Sequence, residues 1–210
     1  MCFTGDGTLL VTSQFSGSGG TVPLRLYDPA SGEVQKLAEL GAETMPAANG
    51  RRNIFGLAQG DTEWNPWGNL VLRTGKLTFA QGNGGFMYEV AVYRDASLFA
   101  LPTYFGTLIA NKKLEGIAVI DEDLDQAPVG AVFHPRKDLV YFPIADTSLI
   151  GVYSSTTWKP VDWFDAKTDF HHTGNYAYAW GREKISKNGS LLFVTVQDGV
   201  RYFRTAHHQD

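Results

Sequence analysis

The side chains with the greatest potential for chemistry lie in and just before the segment DFHHTGNYAYAWGRE, residues 169–183. His171 and His172, with Asp165 and Asp169 upstream, carry the imidazole and carboxylate groups used in metal binding and acid–base catalysis. Adjacent side chains in a strand point to opposite faces, so both histidines reach one ion only from a loop. The spacing therefore favours a connecting loop with exposed histidines over a metal or catalytic centre.

The same segment carries aromatic side chains at alternate positions. Tyr176, Tyr178 and Trp180 fall on one face of a strand, and Trp163 lies shortly upstream. Such a face can bind a glycan, a ligand ring or the apolar anchor of a partner. The pattern favours packing between neighbouring sheets, where large rings fill the gaps, over ligand binding, so these residues are only weak candidates for a ligand site.

Three aspartates have the alternate spacing of a calcium-binding loop. They are Asp121, Asp123 and Asp125. The sixth position of this loop is Gln126 instead of glycine, and the twelfth is Val132 instead of glutamate. Because both the sharp turn and the bidentate ligand are missing, the spacing favours a solvated turn. We therefore predict neither a bound metal nor another cofactor.

The composition excludes several classes of protein. The 210 residues are 43% apolar, enough to bury a core, and 18 basic residues oppose 22 acidic ones, for a net charge of −4. A broad basic face for nucleic acid is therefore not expected. Cys2 is the single cysteine, so no disulfide forms within the chain. No apolar run is long enough to span a membrane, and we expect either a cytoplasmic protein or an exported one whose signal lies outside this chain.

Short strands and tight turns recur along the whole chain. Five times a tight turn precedes a strand such as LLV, LVL, LIA, LVYF or LLFV, and a third strand follows a variable loop. These turns are predicted at Asp6-Gly7, Trp67-Gly68, Phe105-Gly106, Lys137-Asp138 and Asn188-Gly189. The third strands are predicted to end at Tyr27, Tyr93, Ile120, Tyr153 and Phe203. Convincing helical periodicity is almost absent, so the chain is predicted to be all-β.

Two of these repeats carry a family resemblance. TGDGTLLVTS, followed by LRLYDPASGEV, and SKNGSLLFVTVQDGVRYF resemble the degenerate repeats of WD40-like, YVTN and quinoprotein-type propellers. The resemblance implies a β-propeller of four-stranded antiparallel blades, with about five blades or an incomplete larger ring. We expect one domain over residues 1–210, a loop insertion at 45–63, and an exposed edge strand near 197–205, as in the C-terminal part of a longer propeller.

The propeller resemblance implies three classes of function. The first is a non-catalytic scaffold that binds a protein partner through its loop face, and the absence of a convergent catalytic set favours it. The second is an enzyme, or part of one, of the quinoprotein or lactonase type, with a site at the central channel. Its only candidate residues are His134, His171, His172, Asp165 and Asp169. The third is a carbohydrate-binding propeller that uses the aromatic face around Trp180.

Overall fold

The architecture is built from β-strands. The computed structural model describes residues 1–4, 6–12, 21–41, 44–48, 54–59, 67–71, 76–80, 89–103, 106–120, 130–144, 146–170, 183–196 and 199–205. Every regular element within these ranges is a strand. The same ranges contain no helix of the length and apolar character needed to cross a membrane.

The strands form five consecutive antiparallel sheets. Sheet 1 contains β1 (Cys2–Phe3), β2 (Leu9–Thr12), β3 (Thr21–Tyr27) and β4 (Val34–Gly41). Sheet 2 contains β5 (Thr44–Ala48), β6 (Ile54–Gln59), β7 (Trp67–Val71) and β8 (Lys76–Ala80). Sheet 3 contains β9 (Ala91–Val92), β10 (Leu98–Thr103), β11 (Gly106–Asn111) and β12 (Gly116–Ile120). Sheet 4 contains β13 (Val132–Phe133), β14 (Leu139–Pro143), β15 (Leu149–Ser154) and β16 (Pro160–Asp165). Sheet 5 contains β17 (Glu183–Ile185), β18 (Leu191–Val196) and β19 (Gly199–Arg204). In each sheet the spatial order of the strands follows the chain.

Each pair of consecutive sheets encloses its own apolar cluster. Strand β14 shows how one strand serves two clusters, because Val140 and Phe142 pack towards sheet 3 while Tyr141 packs towards sheet 5. All three side chains are fully buried, and a strand buried on both faces reads as a continuous apolar run such as LVYF. Leu10 and Phe55 meet in the cluster between sheets 1 and 2. The innermost strands β1, β5, β9, β13 and β17 contact one another in that order.

The tight turns between first and second strands share one hydrogen-bond pattern in sheets 1, 3 and 5, whereas in sheet 4 the Lys137 N–H donates to the His134 side chain. Gly7 N–H donates to the Thr4 carbonyl, and Gly189 N–H donates to the Ser186 carbonyl. Both glycines have positive φ, +92° and +79°, which a residue with a side chain adopts only with strain. Ala96 takes the same place in sheet 3 with φ +60°. The predicted turns at Asp6-Gly7, Lys137-Asp138 and Asn188-Gly189 are confirmed.

The other two predicted turns were assigned to the wrong part of a sheet. Trp67 and Gly68 lie inside β7, and Gly106 begins β11, whereas Phe105 lies outside the described residues. The first turn of sheet 3 is formed instead by residues 93–97, which have aspartate and alanine where other turns have glycine. Tyr93 consequently follows the innermost strand β9 and does not end a third strand.

The segment 45–63, for which we predicted a loop insertion, contributes two strands to sheet 2. Strands β5 and β6 pair with each other, and β6 also pairs with β7. The apolar pattern is weak there because Gly56 sits beneath sheet 3, where a Cβ would come within 2.6 Å of Val90 Cγ2. A small residue at this position lets the next sheet approach closely, so the strand carries no large side chain to mark it.

Candidate functional site

The two ends of the sheets carry connections of different kinds. Five residues join the first and second strands of every sheet, at 4–8, 49–53, 93–97, 134–138 and 186–190. Because neighbouring strands are antiparallel, these turns and the third-to-fourth connections lie at one end, which we call the turn face. The second-to-third and sheet-to-sheet connections lie at the other end, the variable face. Their lengths run from two residues, at 104–105, to seventeen, at 166–182.

A clasp of polar side chains joins sheets 3 and 4 at the turn face. The Tyr93 hydroxyl donates to Asp138 Oδ1 at 2.6 Å, and Arg94 Nη2 contacts the same oxygen at 2.5 Å. Arg94 also lies over the Tyr93 ring, 4.6 Å from its centroid, and donates to the Lys137 carbonyl at 3.0 Å. The Tyr93 hydroxyl and the Arg94 guanidinium hold the pKa of Asp138 below its ordinary value. The clasp therefore orients one sheet on the next.

His134 begins the first turn of sheet 4, as Tyr93 begins that of sheet 3, and its ring reaches towards sheet 5. Its Nδ1 accepts the backbone N–H groups of Arg136 at 3.0 Å and Lys137 at 2.8 Å, so the ring proton is on Nε2. The ring is buried against Gly189 in the first turn of sheet 5. Burial, and then the charge of Lys137, lower the pKa of His134, so it is neutral at pH 7. This histidine stabilises the junction of two sheets and does not face an open site.

We expect Asp138→Asn to weaken the clasp. The folded-state pKa of Asp138 is depressed, so the carboxylate stabilises the fold above its unfolded pKa, and the effect is lost as the pH falls through the folded pKa. Because the side chain is half exposed, the variant should lose only about 1 kcal/mol at pH 7. Urea unfolding at pH 7 and pH 3 measures the difference, which should shrink at pH 3. An equal difference at both values would show that the charge of Asp138 has no role.

Charged side chains also cluster at the variable face, where the innermost strands of sheets 3, 4 and 5 begin. Lys184 Nζ donates to Glu89 Oε1 at 2.9 Å, and Glu89 and Glu183 are both buried. A Cβ on Gly130 would lie 2.5 Å from Glu183 Oε2 and 3.4 Å from Glu89 Oε2, so the two carboxylates converge on this glycine. Desolvation acts to lower the pKa of Lys184, but the nearby Glu89 and Glu183 carboxylates together hold that pKa above its ordinary value. The cluster links sheets 3 and 5 through charge, with Gly130 of sheet 4 packed against both carboxylates.

Cys2 lies on the innermost strand of sheet 1 and is half-buried. Burial raises the pKa of its thiol to about 12, and the positive charges of the chain N-terminus and Lys184 lower that pKa by a smaller amount. The thiol is therefore protonated at neutral pH, and a protonated thiol is a poor nucleophile.

The structure does not bring the described catalytic candidates together. His134 lies at the turn face, whereas Asp165 ends β16 at the variable face, and Asp169 is exposed beyond it. Asp165 accepts the Lys167 N–H at 2.8 Å, and hydrogen bonds from Lys167 lower its pKa to about 2. In the part of the chain that the structure describes, no three His, Cys, Asp or Glu side chains form a group that could hold a metal ion.

Several candidates lie outside the described residues. These are His171, His172, Tyr176, Tyr178 and Trp180 of the polar–aromatic segment and Asp121, Asp123 and Asp125 of the calcium-like spacing. Trp163 is described, on the outer strand β16, and its side chain is about half exposed. Its ring lies across Gly151 and packs edge-on against Tyr153, with centroids 6.0 Å apart. Trp163 thus packs at the outer rim between sheets 3 and 4 while keeping an accessible face.

Comparison with known proteins supports the fold alone. No protein-family model matches the chain, and no curated protein matches it. The chain is similar in structure to the β-propeller domain of Cps50 (Swd1) from Myceliophteria thermophila, with a TM-score of 0.71 and 13% sequence identity. The alignment covers 97% of this chain and 70% of that one. The chain folds as a β-propeller.

The predicted all-β propeller of four-stranded antiparallel blades is therefore confirmed. Sheets 1–5 are blades 1–5, and the described part of blade 5 has three strands. Sequence reasoning missed the charged cluster of Glu89, Glu183 and Lys184, since Glu89 is more than ninety positions from the other two. One signal was present: a glutamate at the start of an innermost strand, in YEVAVY and again in REKIS.

Proposed function

We propose that the chain is a non-catalytic scaffold that binds a protein partner through the variable face of the propeller. The observation that carries the proposal is the contrast between the two faces. Five residues separate the first and second strands of every blade, whereas two to seventeen residues separate the described strands that are joined at the variable face. A connection of constant length is part of the repeating fold. Connections of unequal length make the surface of one protein differ from that of another, and rigid scaffolds recognise their partners through such surfaces.

The turn face is occupied by the blades' own contacts. Tyr93, Arg94 and Asp138 form a clasp there, and His134 contacts Gly189. At the variable face, by contrast, Lys167 and Asp169 are exposed on the connection that follows blade 4. A partner that approaches this face meets side chains that the blade packing does not use.

A pair of matched charge reversals tests this proposal. The variable-face variant combines Lys167→Glu with Asp169→Lys, and the turn-face control combines Lys113→Glu with Glu115→Lys, which are also exposed and two positions apart. The partner is first captured with the unmodified protein from cells that express it naturally and is identified by mass spectrometry. Its affinity for both variants is then measured by calorimetry.

We expect the variable-face reversal to weaken binding about tenfold or more, because charge reversal inside an interface typically costs more than 1.4 kcal/mol. The turn-face control should bind the partner as the unmodified protein does. Equal loss in both variants, or loss only in the control, would contradict the proposal. Circular dichroism confirms that both variants are folded, so that a loss of binding is not a loss of structure.

A further inference from the structure

Two blade faces, at opposite ends of the series, have the composition of an interface between blades but are exposed. One is the face of blade 1 that points away from blade 2, and the other is the face of blade 5 that points away from blade 4. We call them the two end faces. Phe3 and Val34 on the first are 63% and 56% exposed, and Tyr202 and Val200 on the second are 70% and 60% exposed.

The end face of blade 1 aligns with the face of blade 4 that packs against blade 3, which is buried at three of the four aligned positions and exposed at Pro160. In blade 1, strand pairing aligns Phe3, Leu9, Tyr27 and Val34 in a row across all four strands. The corresponding row of blade 4 is Phe133, Val140, Tyr153 and Pro160. Phe3 and Phe133 each precede the first turn, and Tyr27 and Tyr153 each precede the third-to-fourth turn.

The first three positions of the two rows differ in exposure. Phe133, Val140 and Tyr153 are 5%, 0% and 3% exposed because blade 3 covers them, whereas Phe3 is exposed and Leu9 and Tyr27 are partly exposed. An apolar row that is buried in one blade and accessible in another is therefore an inter-blade surface on which no described blade lies.

The end face of blade 5 matches the opposite face of blade 4. Phe193 pairs with Tyr202 across β18 and β19, as Tyr141 pairs with Val152 across β14 and β15. Tyr141 and Val152 are fully buried against blade 5. Phe193 is 36% exposed, and Tyr202 is the most exposed aromatic side chain among the described residues. The outer strand β19 also has no fourth strand beside it in the described part of blade 5.

The number of blades that would cover these faces follows from the structural comparison. Five blades of this chain cover 70% of the Cps50 (Swd1) propeller domain. At the same residues per blade, the remaining 30% corresponds to about two blades, or roughly 80 to 90 residues. Two blades placed between blade 5 and blade 1 would bury both end faces at once.

We propose that the two end faces bind two further propeller blades of the same protein, which lie outside residues 1–210 and complete the ring. The blade that follows blade 5 places an apolar row on Phe193 and Tyr202, and the blade that precedes blade 1 places one on Phe3 and Tyr27. This interaction uses the sides of the ring and is independent of the partner proposed for the variable face.

Site-specific photo-crosslinking tests the proposal on the protein expressed from its own gene. The photoreactive residue p-benzoylphenylalanine replaces Tyr202 in one variant and Phe3 in another, and Trp163 at the rim of blade 4 is the control. We expect positions 202 and 3 to crosslink to strand-forming peptides of the same polypeptide outside residues 1–210, whereas position 163 does not. Mass spectrometry of the crosslinked peptides identifies them.

Three outcomes would overturn the proposal: crosslinks to a second copy of residues 1–210, crosslinks to a different protein, or no more crosslinking than at Trp163. The charge reversals at Lys167 and Asp169 should leave the crosslinks at positions 3 and 202 unchanged, so failure of the proposed function is distinguished from failure of this inference. As an independent measurement, Tyr202→Glu should lower the melting temperature of the protein expressed from its gene but hardly change that of residues 1–210 alone.

Discussion

Gly189→Ala is expected to lower the free energy of unfolding by about 3 kcal/mol, the sum of two effects. The first is backbone strain, because Gly189 has φ +79°, a conformation that alanine adopts with difficulty. The second is overlap, since a Cβ at this position would meet atoms Cε1 and Nε2 of the buried His134 ring. The melting temperature should fall by about 6 to 12 °C in a chain of this size.

Gly7→Ala is the matched control for this substitution. Gly7 has the same place in the first turn of blade 1 and a similar φ of +92°, but no atom lies within 4 Å of its would-be Cβ. It should therefore show the backbone effect alone, about 1 kcal/mol. Chemical denaturation of both variants gives the difference, which measures the contact between blades 4 and 5. Equal destabilisation of the two variants would show that His134 does not restrict Gly189.

Phe133→Ala is expected to lower the free energy of unfolding by about 3 to 4 kcal/mol. Phe133 is buried between blades 3 and 4, and its ring packs edge-on against Tyr93 with centroids 5.2 Å apart. Removal of the ring leaves a cavity that the close-packed strands on both sides cannot fill. Calorimetric or denaturant unfolding of the 210-residue chain measures the loss.

Phe3→Ala is the corresponding substitution in blade 1, where the same ring is 63% exposed. In the 210-residue chain it should cost less than about 1 kcal/mol, because little apolar area leaves water there on folding. A cost equal to that of Phe133→Ala would mean that the end face of blade 1 is already covered. In a protein that includes two further blades, we expect the cost of Phe3→Ala to approach that of Phe133→Ala.

The repeat was predictable where turn chemistry and apolar runs coincide. In blades 1, 4 and 5, a polar turn and a run such as LLV, LVYF or LLFV stand side by side, and the predicted turns agree with the structure. Blade 3 was misregistered because Ala96 takes the positive-φ position that glycine holds elsewhere. A turn without its usual residue gives no local signal, and only pairing with the next strand identifies it.

Blade 2 shows a different reason why the prediction from sequence was wrong. Strands β5 and β6 look like an inserted loop because small residues interrupt their apolar pattern, and Gly56 is one of them. The need for a small residue there comes from Val90 and Val92 of the next blade, which are more than thirty positions away in the chain. Such a constraint depends on contacts between blades, so no window of local sequence contains it.

Local sequence determined the β-strand content, the repeated turns and the all-β propeller class of this protein, because hairpins form from residues that are neighbours in the chain. Tertiary structure alone decided which residues act together. It placed His134 against Gly189 and separated it from Asp165, and it gathered Glu89, Glu183 and Lys184 from two blades. It also distinguished Phe3 from Phe133, two rings at equivalent positions, since burial depends on whether another blade lies alongside.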